Sequence, residues 1–385
     1  MEKRTEFHAS VVTTNMKILK FTALPFVAIA LAFSACQEST TSQFEEHLTN
    51  NDTEILQYLE DNNIKNDRLA KGLYIEKVVE VDTVGMSSDE KEKITLENNE
   101  KIGIFYKITS LSGTLAGENL DENGNLPTTV ERISSSSSNI VPTAVARAIE
   151  EMKFVGDEVN IYAASYYGYN DSDWTLEAKD ADDGKAHRVA PGQTILANVK
   201  VEARYSDDQL EEFEKTSIEK YIKDEKLDKY DVKELPTGER IVTIEKGTGE
   251  RPKTSEYVAM TYAGTLLDGA KFDASAKEND EGVVEENPFV FILGAGQVIK
   301  GWDECISQMT VGDSSVLIIP SSQAYGGARD KDGNQNSRIG PYILPEIMRK
   351  DLMNKGDITK LPPDAVLVFH VKFLGNRDDA LKYRD

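Results

Sequence analysis

Residues 297–320 read QVIKGWDECISQMTVGDSSVLIIP, and this stretch decides the fold. A helical segment from Gly301 to Met309 leads through a Gly312-Asp313 turn into the apolar run Ser314 to Pro320. A short helix followed by a tight turn and a buried strand is typical of an α+β unit. We therefore predict an antiparallel sheet covered by one short helix.

The same pattern occurs a second time, earlier in the chain. Ala144 to Met152 forms a helical segment, and a Gly156-Asp157 turn leads into the strand-like run Glu158 to Ala163. Both halves also carry two tyrosines at one common spacing, Tyr106 with Tyr169 and Tyr262 with Tyr325. Because so many features match in order, we predict two homologous domains, each preceded by a helical lead-in.

The repeat and the changes in composition divide the chain into segments. The predicted segments are a leader and signal peptide (1–36), a polar tether (37–53), a first domain with its helical lead-in (54–206), a charged helical linker (207–233), a second domain (234–376) and a tail (377–385). The predicted fold class is α+β, with an antiparallel β-sheet wrapped on a short central helix in each domain.

Charge and composition exclude several classes of function. Lys and Arg number 44 against 67 Asp and Glu, which gives a formal charge of −23. Phosphate binding uses clustered basic residues, so we expect no nucleic-acid partner. The four histidines lie far apart and the two cysteines do not form a paired motif, so we expect neither a metal nor a cofactor.

The N-terminal region has the pattern of an export signal. Basic residues at Lys17 and Lys20 precede the apolar run 21–33, and Ser34-Ala35 then precedes Cys36. This pattern is typical of a secretory signal peptide, and a cysteine at the first mature position resembles a bacterial lipobox. We predict lipidation of Cys36, with ordinary signal cleavage as the alternative. The expected location is the cell envelope, at the outer membrane and facing the periplasm.

Short motifs in the second half follow one another in a fixed order. They are Tyr262-Ala263-Gly264, Phe272-Asp273, Phe289-Val290-Phe291, Val298-Ile299-Lys300-Gly301-Trp302, Ala324-Tyr325-Gly326 and Leu367-Val368-Phe369. Their order and spacing, from Val232 to Leu374, resemble the FKBP-type peptidyl-prolyl cis-trans isomerases. The resemblance implies two FKBP-like domains, proline-containing polypeptide clients and a reaction that needs no cofactor.

The resemblance also implies a proline pocket and a role for each motif residue. Trp302 would form the floor, and the walls would be Tyr262, Phe272, Phe289, Val298 and Phe369. The backbone N–H of Ile299 and the hydroxyl of Tyr325 would hold the substrate's carbonyl groups. Asp273 either accepts a hydrogen bond near the rotating carbonyl, orients Tyr262, or is a buried structural carboxylate. Either Ile339 or Leu361 would supply an apolar contact from the long loop 327–360.

The first domain is predicted to be a degenerate copy. Val145 stands where the second domain has Trp302, Ala197 replaces Phe369, and Pro142 replaces Ile299 and so lacks an N–H group. Leu120-Asp121 is the closest match to Phe272-Asp273, and only Tyr169 and Val141 remain from the expected pocket.

Three functions follow from these observations. The first is an envelope prolyl isomerase that assists the folding of exported proteins. The second is a client-binding chaperone without catalysis, and the third is a scaffold lipoprotein. The loop 327–360 is either a lid or client-binding helix, or it packs on its own domain.

Overall fold

A computed structural model describes residues 44–98, 100–120, 126–131, 142–169, 174–176, 187–189, 192–278, 284–285, 287–326, 337–339 and 361–384. The chain divides into two compact units, Met1–His47 and Leu48–Asp385. The second unit contains both predicted domains. The signal peptide, Cys36, Val141 and most of the loop 327–360 lie outside the described residues.

The first half of the chain contributes three described helices and nine strands. The helices are α1 (44–61), α2 (Ser88–Ile94) and α3 (Thr143–Glu151). The strands are β1 (Asp67–Ala70), β2 (Leu73–Val79), β3 (Lys101–Ser110), β4 (Leu115–Asn119), β5 (Thr128–Glu131), β6 (Glu158–Ala163), β7 (Trp174–Leu176), β8 (His187–Val189) and β9 (Ile195–Tyr205).

The second half contributes the remaining described elements. The helices are α4 (Asp207–Asp224), α5 (Lys300–Ser307) and α6 (Asp378–Leu381). The strands are β10 (Asp231–Glu234), β11 (Arg240–Glu245), β12 (Tyr257–Leu266), β13 (Lys271–Ala274), β14 (Lys277–Glu278), β15 (Val284–Glu285), β16 (Phe289–Ile292), β17 (Ser314–Ile319) and β18 (Leu367–Asn376).

The two halves form sheets of the same topology. The first sheet has the strand order β1-β2-β6-β9-β3-β4, with β5 also paired to β3. The second has the order β10-β11-β17-β18-β12-β13, with β16 also paired to β12. Every pairing in both sheets is antiparallel. The fold is therefore α+β, as predicted, and the repeat seen in the sequence corresponds to a repeated sheet.

Each sheet packs a short helix on one face and a longer helix on the other. On the inner face of the second sheet, Ile306 and Met309 from the α5 region join the core with Leu317 and Phe373. On the opposite face, Ile218 and Ile222 of α4 pack against β11, β17 and β18. Helix α1 packs in the same way on the first sheet, through Ile55 and Leu59. Because side chains alternate along a strand, both faces of each sheet are apolar and both need a cover.

The Gly-Asp turn is built in the same way in both halves. Asp313 is almost fully buried, and its carboxylate accepts hydrogen bonds from the backbone N–H groups of Thr310 (2.7 Å) and Gly247 (2.7 Å). Asp157 likewise accepts from the N–H groups of Lys153 (2.8 Å) and Val81 (2.9 Å). Each aspartate thus joins its turn to a distant segment, which explains why this short motif recurs.

Two segment boundaries differ from the prediction. Helix α1 already covers residues 44–53, which were assigned to the tether. Strand β10 begins at Asp231, inside the segment assigned to the helical linker. The linker helix ends early because Lys226 adopts a left-handed backbone conformation (φ 54°), and the chain then turns back to pair with β11.

Candidate active site

Trp302 lies at the centre of a group of aromatic rings. Its side chain is 3% exposed, and its ring centroid is 5.1 Å from those of both Tyr262 and Phe369. Phe289 lies at 6.1 Å and Phe291 at 5.9 Å. Tyr262 and Phe369 meet Trp302 edge to face, a favoured arrangement for aromatic pairs.

Several elements bring these rings together. Trp302 is in the first turn of α5, three residues after the N-cap residue Ile299. Tyr262 lies on β12, between the neighbouring strands that carry the other rings. Strand β13 carries Phe272, β16 carries Phe289, and β18 carries Phe369. The group is therefore assembled by sheet pairing and by the position of α5.

A glycine leaves space for two of the rings. Gly264 is paired with Phe369 across the sheet, and a Cβ atom at this position would lie 2.8 Å from Phe272 Cζ and 3.0 Å from Phe369 Cε1. Any side chain here would displace one of these rings. The motif Tyr262-Ala263-Gly264 therefore supplies one ring of the group, and its glycine leaves the space that Phe272 and Phe369 occupy.

Asp273 forms a hydrogen bond with a ring of the group. Tyr262 Oη donates to Asp273 Oδ2 at 2.8 Å, and Asp273 is exposed. Burial and this hydrogen bond raise the pKa of Tyr262 well above its ordinary value, so the hydroxyl stays protonated. Of the three alternatives for Asp273, the geometry matches orientation of Tyr262, and its exposure rules out a buried structural carboxylate.

The group is open on one side. Phe289 is 37% exposed, and Phe272, Val298, Ile299 and Tyr325 are half-buried. Arg338 lies over the Tyr325 ring, with its guanidinium carbon 5.9 Å from the centroid. Burial raises the pKa of Tyr325, which therefore remains a hydroxyl donor at neutral pH.

Both candidates from the long loop reach this core. Ile339 and Leu361 form a parallel bridge, and they are 4% and 3% exposed in the same apolar cluster as Trp302. Both residues, and not one of them, therefore supply the apolar contact that was predicted from the loop. Phe291 and Met309 belong to the same cluster and are 3% and 1% exposed.

Within the described residues, the indole N–H of Trp302 is buried without a hydrogen-bond partner. No described group of three His, Cys, Asp or Glu side chains is arranged to hold a metal ion.

A cavity of about 330 Å³ lies between the first domain, α4 and residues 362–366, and none of the predicted site residues lines it. Among the described residues of the second domain, the aromatic group is a feature that can hold an apolar ring.

The corresponding positions of the first domain lack this arrangement. Pairing of β3 with β9 places Ile108 opposite Ala197, where the second domain has Gly264 opposite Phe369. Pro142 is the N-cap of α3, so Val145 takes the position of Trp302, in agreement with the sequence register. Val145 and Ala197 are fully buried.

Two predicted correspondences between the first domain and the pocket residues differ from the structure. Strand β4 pairs Gly117 with Ile108, so Ala116-Gly117, and not Leu120-Asp121, correspond to Phe272-Asp273. The register was missed because the loops that follow the two strands differ in length. Tyr106 also remains from the pocket, at 1% exposure on β3, beside the retained Tyr169.

Two residues at or near the site were not found from the sequence. Gly264 was quoted as part of a motif, but its role needs the cross-strand neighbours Phe272 and Phe369. Glu214 lies in the segment predicted as a charged helical linker, yet it is 4% exposed and bonded to Ser321. The signal available for Glu214 was the matching position of Asn51 before the first domain.

Comparison with known proteins agrees with this geometry. The family model of FKBP-type peptidyl-prolyl cis-trans isomerases matches residues 248–374. FK506-binding protein 1 of Dictyostelium discoideum is 36% identical over 137 residues, which are 36% of this chain and 96% of that protein. Peptidyl-prolyl cis-trans isomerase Fkbp12 of Drosophila melanogaster is 42% identical over 109 residues, 28% of this chain and 85% of that protein.

Among solved structures, the three FKBP domains of wheat FKBP73 align with 81% of this chain and 98% of that one, at 17% identity and a TM-score of 0.26. An isomerase from Pseudomonas syringae aligns with 42% of this chain and 96% of its own, at 26% identity and a TM-score of 0.26. Scores this low carry no structural argument, so the sequence relatives decide the family. By that match and by its aromatic site, the chain belongs to the FKBP-type peptidyl-prolyl cis-trans isomerase family.

Proposed function

We propose that the aromatic group of the second domain is the isomerase pocket, with Trp302 as the floor beneath the substrate's proline ring. The observation that carries this proposal is one buried indole surrounded by rings that are open to solvent on one side. Tyr262, Phe272, Phe289, Val298 and Phe369 are the proposed walls. Leu361 and Ile339 extend the apolar surface from the loop.

The chemistry needs no nucleophile. Rotation about a prolyl amide has a barrier of about 18–20 kcal/mol, which reflects resonance between nitrogen and carbonyl. The twisted transition state has lost that resonance and its charge separation, so an apolar site favours it over the planar ground state. A barrier lowered by about 5 kcal/mol corresponds to nearly four decades in rate.

Polar groups at the rim position the substrate. Ile299 is the N-cap of α5, and the first backbone hydrogen bonds of this helix run from the N–H groups of Trp302 and Asp303 to the Ile299 carbonyl. The Ile299 N–H therefore takes no part in the helix hydrogen bonds. In this proposal the Ile299 N–H and the Tyr325 hydroxyl donate to substrate carbonyls. Asp273 holds Tyr262 in place through their 2.8 Å hydrogen bond.

The test is isomerisation of a short X-Pro peptide, measured by exchange NMR or in a protease-coupled assay. Trp302→Ala, Tyr325→Phe and Asp273→Ala are compared with the unaltered chain, and Val145→Ala is the matched control in the first domain. We expect Asp273→Ala to lower kcat/KM about tenfold, because a hydrogen bond to a charged group is worth about 1.5–3 kcal/mol and this one is exposed. Wild-type rates in folded Trp302→Ala and Tyr325→Phe would refute the pocket assignment.

We also propose that the protein is exported, lipidated at Cys36 and held at the outer membrane facing the periplasm, where it assists the folding of exported proteins. The support is the basic, apolar and small-residue series before Cys36. In the part of the chain that the structure describes, no helix is both long and apolar enough to span a membrane. The role of the first domain in holding clients stays a prediction.

Labelling with a fatty-acid analogue tests the anchor. We expect Cys36→Ala to abolish the label and to release the protein from the membrane fraction. Protease added to intact cells should leave the protein uncut, and digestion would place it on the outer surface instead. Retention of the label in Cys36→Ala would show that another residue carries the lipid.

A further inference from the structure

The turn that carries Tyr325 is held at its first residue. Ser321–Gln323 forms a single 3-10 turn, and the N–H groups of Ala324 and Gly326 both donate to the Ser321 carbonyl at 3.0 Å. Tyr325 lies between these two donors. The position of Ser321 therefore fixes the position of the Tyr325 backbone.

A carboxylate from outside the matched family segment holds Ser321. Ser321 N donates to Glu214 Oε2 at 2.9 Å, and Ser321 Oγ donates to Glu214 Oε1 in a very short hydrogen bond. Both residues are 4% exposed, so water does not compete for these bonds. Glu214 lies on α4, the helix that precedes the second sheet and covers its outer face.

The first domain has the same contact with an uncharged partner. Asn51 of α1 accepts hydrogen bonds at Oδ1 from both the N–H and the hydroxyl of Ser165, each at 3.1 Å. Ser165 begins the turn Ser165–Tyr167, which precedes Tyr169 as the Ser321 turn precedes Tyr325. The same connection has thus been kept in both halves, with a charged group only beside the aromatic pocket.

Charged groups surround Glu214 from two other elements. Asp364 donates its N–H to the Gly326 carbonyl at 3.0 Å, and its buried carboxylate pairs with Lys101 Nζ of β3 at 3.0 Å. Burial raises the pKa of Glu214 to about 7; the hydrogen bonds from Ser321 and the charge of Lys101 act against the rise, and Asp364 adds to it. The carboxylate therefore changes its charge near neutral pH, at the base of the Tyr325 turn.

We propose that Glu214 is a positioning residue for isomerisation, which fixes the Tyr325 hydroxyl at the pocket rim by holding Ser321. Helix α4 is then part of the enzyme, although the family segment begins only at residue 248. The inference rests on the pocket role of Tyr325 proposed above. With the carboxylate ionised, both oxygens accept from Ser321; protonation converts one of them into a hydroxyl and removes the charge that strengthens these hydrogen bonds.

The test compares Glu214→Ala and Glu214→Gln with Asn51→Ala, which removes the equivalent contact in the first domain. We expect Glu214→Ala to lower kcat/KM about tenfold through kcat, because small displacements of a positioned group cost this much or more. Asn51→Ala should leave kcat/KM unchanged. In the Tyr325→Phe background, Glu214→Ala should cause little further loss, because both changes act on one hydroxyl.

The pH dependence of the rate is a further test. The wild-type kcat/KM should rise with pH through about 7, and Glu214→Gln should remove that step.

Hydrogen exchange provides a readout that does not need catalysis. The amides of Ala324 and Gly326 should exchange faster in Glu214→Ala, and the amide of Gly168, which donates to the Ser165 carbonyl, should exchange faster only in Asn51→Ala. If Glu214→Ala does not fold, Ser321→Ala, which removes the hydroxyl that donates to Glu214, is used instead. Losses that add fully to those of Tyr325→Phe, or unchanged exchange at Ala324 and Gly326, would overturn the inference. An inactive wild-type chain would refute the proposed pocket. Hydrogen exchange at Ala324 and Gly326 would then still show whether Glu214 holds the turn.

Discussion

The two domains of this chain have separate sheets of the same topology, and they differ in the side chains at the aromatic pocket. Both have the same strand order, a short helix on the inner face and a buried aspartate after that helix. At the pocket, however, Ile108 and Ala197 of the first domain correspond to Gly264 and Phe369 of the second. The comparison teaches that the fold depends on core burial and turn hydrogen bonds, which survive in both copies. The aromatic site depends on a few positions that can change without loss of the sheet.

At one cross-strand pair of positions, the two domains have side chains of similar total volume. A glycine opposite a phenylalanine in the second domain corresponds to an isoleucine opposite an alanine in the first. Protein interiors tolerate substitutions that keep the total volume, because packing density is then maintained. At this pair of positions the first domain therefore keeps a buried core without an aromatic ring.

The largest expected effect comes from placing the first domain's residue in the second domain's pocket. Gly264→Ile should lower kcat/KM by more than about a hundredfold, since a Cβ alone would lie 2.8 Å from Phe272 Cζ and roughly 3 kcal/mol of transition-state stabilisation would be lost. The peptide assay measures this, and circular dichroism checks the fold. Ile108→Gly is the reciprocal control and should leave the rate unchanged. Substantial activity remaining in Gly264→Ile would show that the first domain also catalyses.

The second effect concerns stability. Val145→Trp places the pocket indole into the first domain at a fully buried position, and overpacking of this kind costs about 1–3 kcal/mol. Urea unfolding should show the loss, with no gain in isomerase rate, because Pro142 and Ala197 are unchanged. A Val145→Trp chain of wild-type stability would mean that the first domain retains an open cavity.

The smallest effect is a change in the pH dependence of stability. Burial raises the pKa of Glu214 from its usual 4.5 to about 7, so the folded chain keeps a proton that the unfolded chain loses between these values. The stability from this group is complete below about pH 4.5 and is lost as the pH rises through about 7. Glu214→Gln should remove this decline, whose slope is at most about 1.4 kcal/mol per pH unit for one proton. Asn51→Ala should lower stability equally at every pH, and a pH-dependent loss there would contradict this account.

Much of the site was predictable because its residues lie in short contiguous motifs. The structure brings Trp302, Tyr262 and Phe369 into one group, and the two helix N-caps match Val145 with Trp302; the pocket roles of these residues stay predictions. The match of Leu120-Asp121 to Phe272-Asp273 was wrong, because strand register is set by pairing across the sheet and not by distance along the chain. The burial of Glu214 was not predicted, since the charged residues around it in the linker conceal one buried acid.

The sequence by itself determined the repeat, the α+β class and the motifs of the isomerase family, because each depends on residues close together in the chain. Only the tertiary structure decided that Gly264 makes room for two rings and that Glu214 holds the turn before Tyr325. Glu214 and Ser321 are 107 residues apart, and their contact exists only after α4 has packed on the second sheet. A hydrogen bond of this kind has no local pattern, because its two partners are brought together by burial of the apolar residues around them.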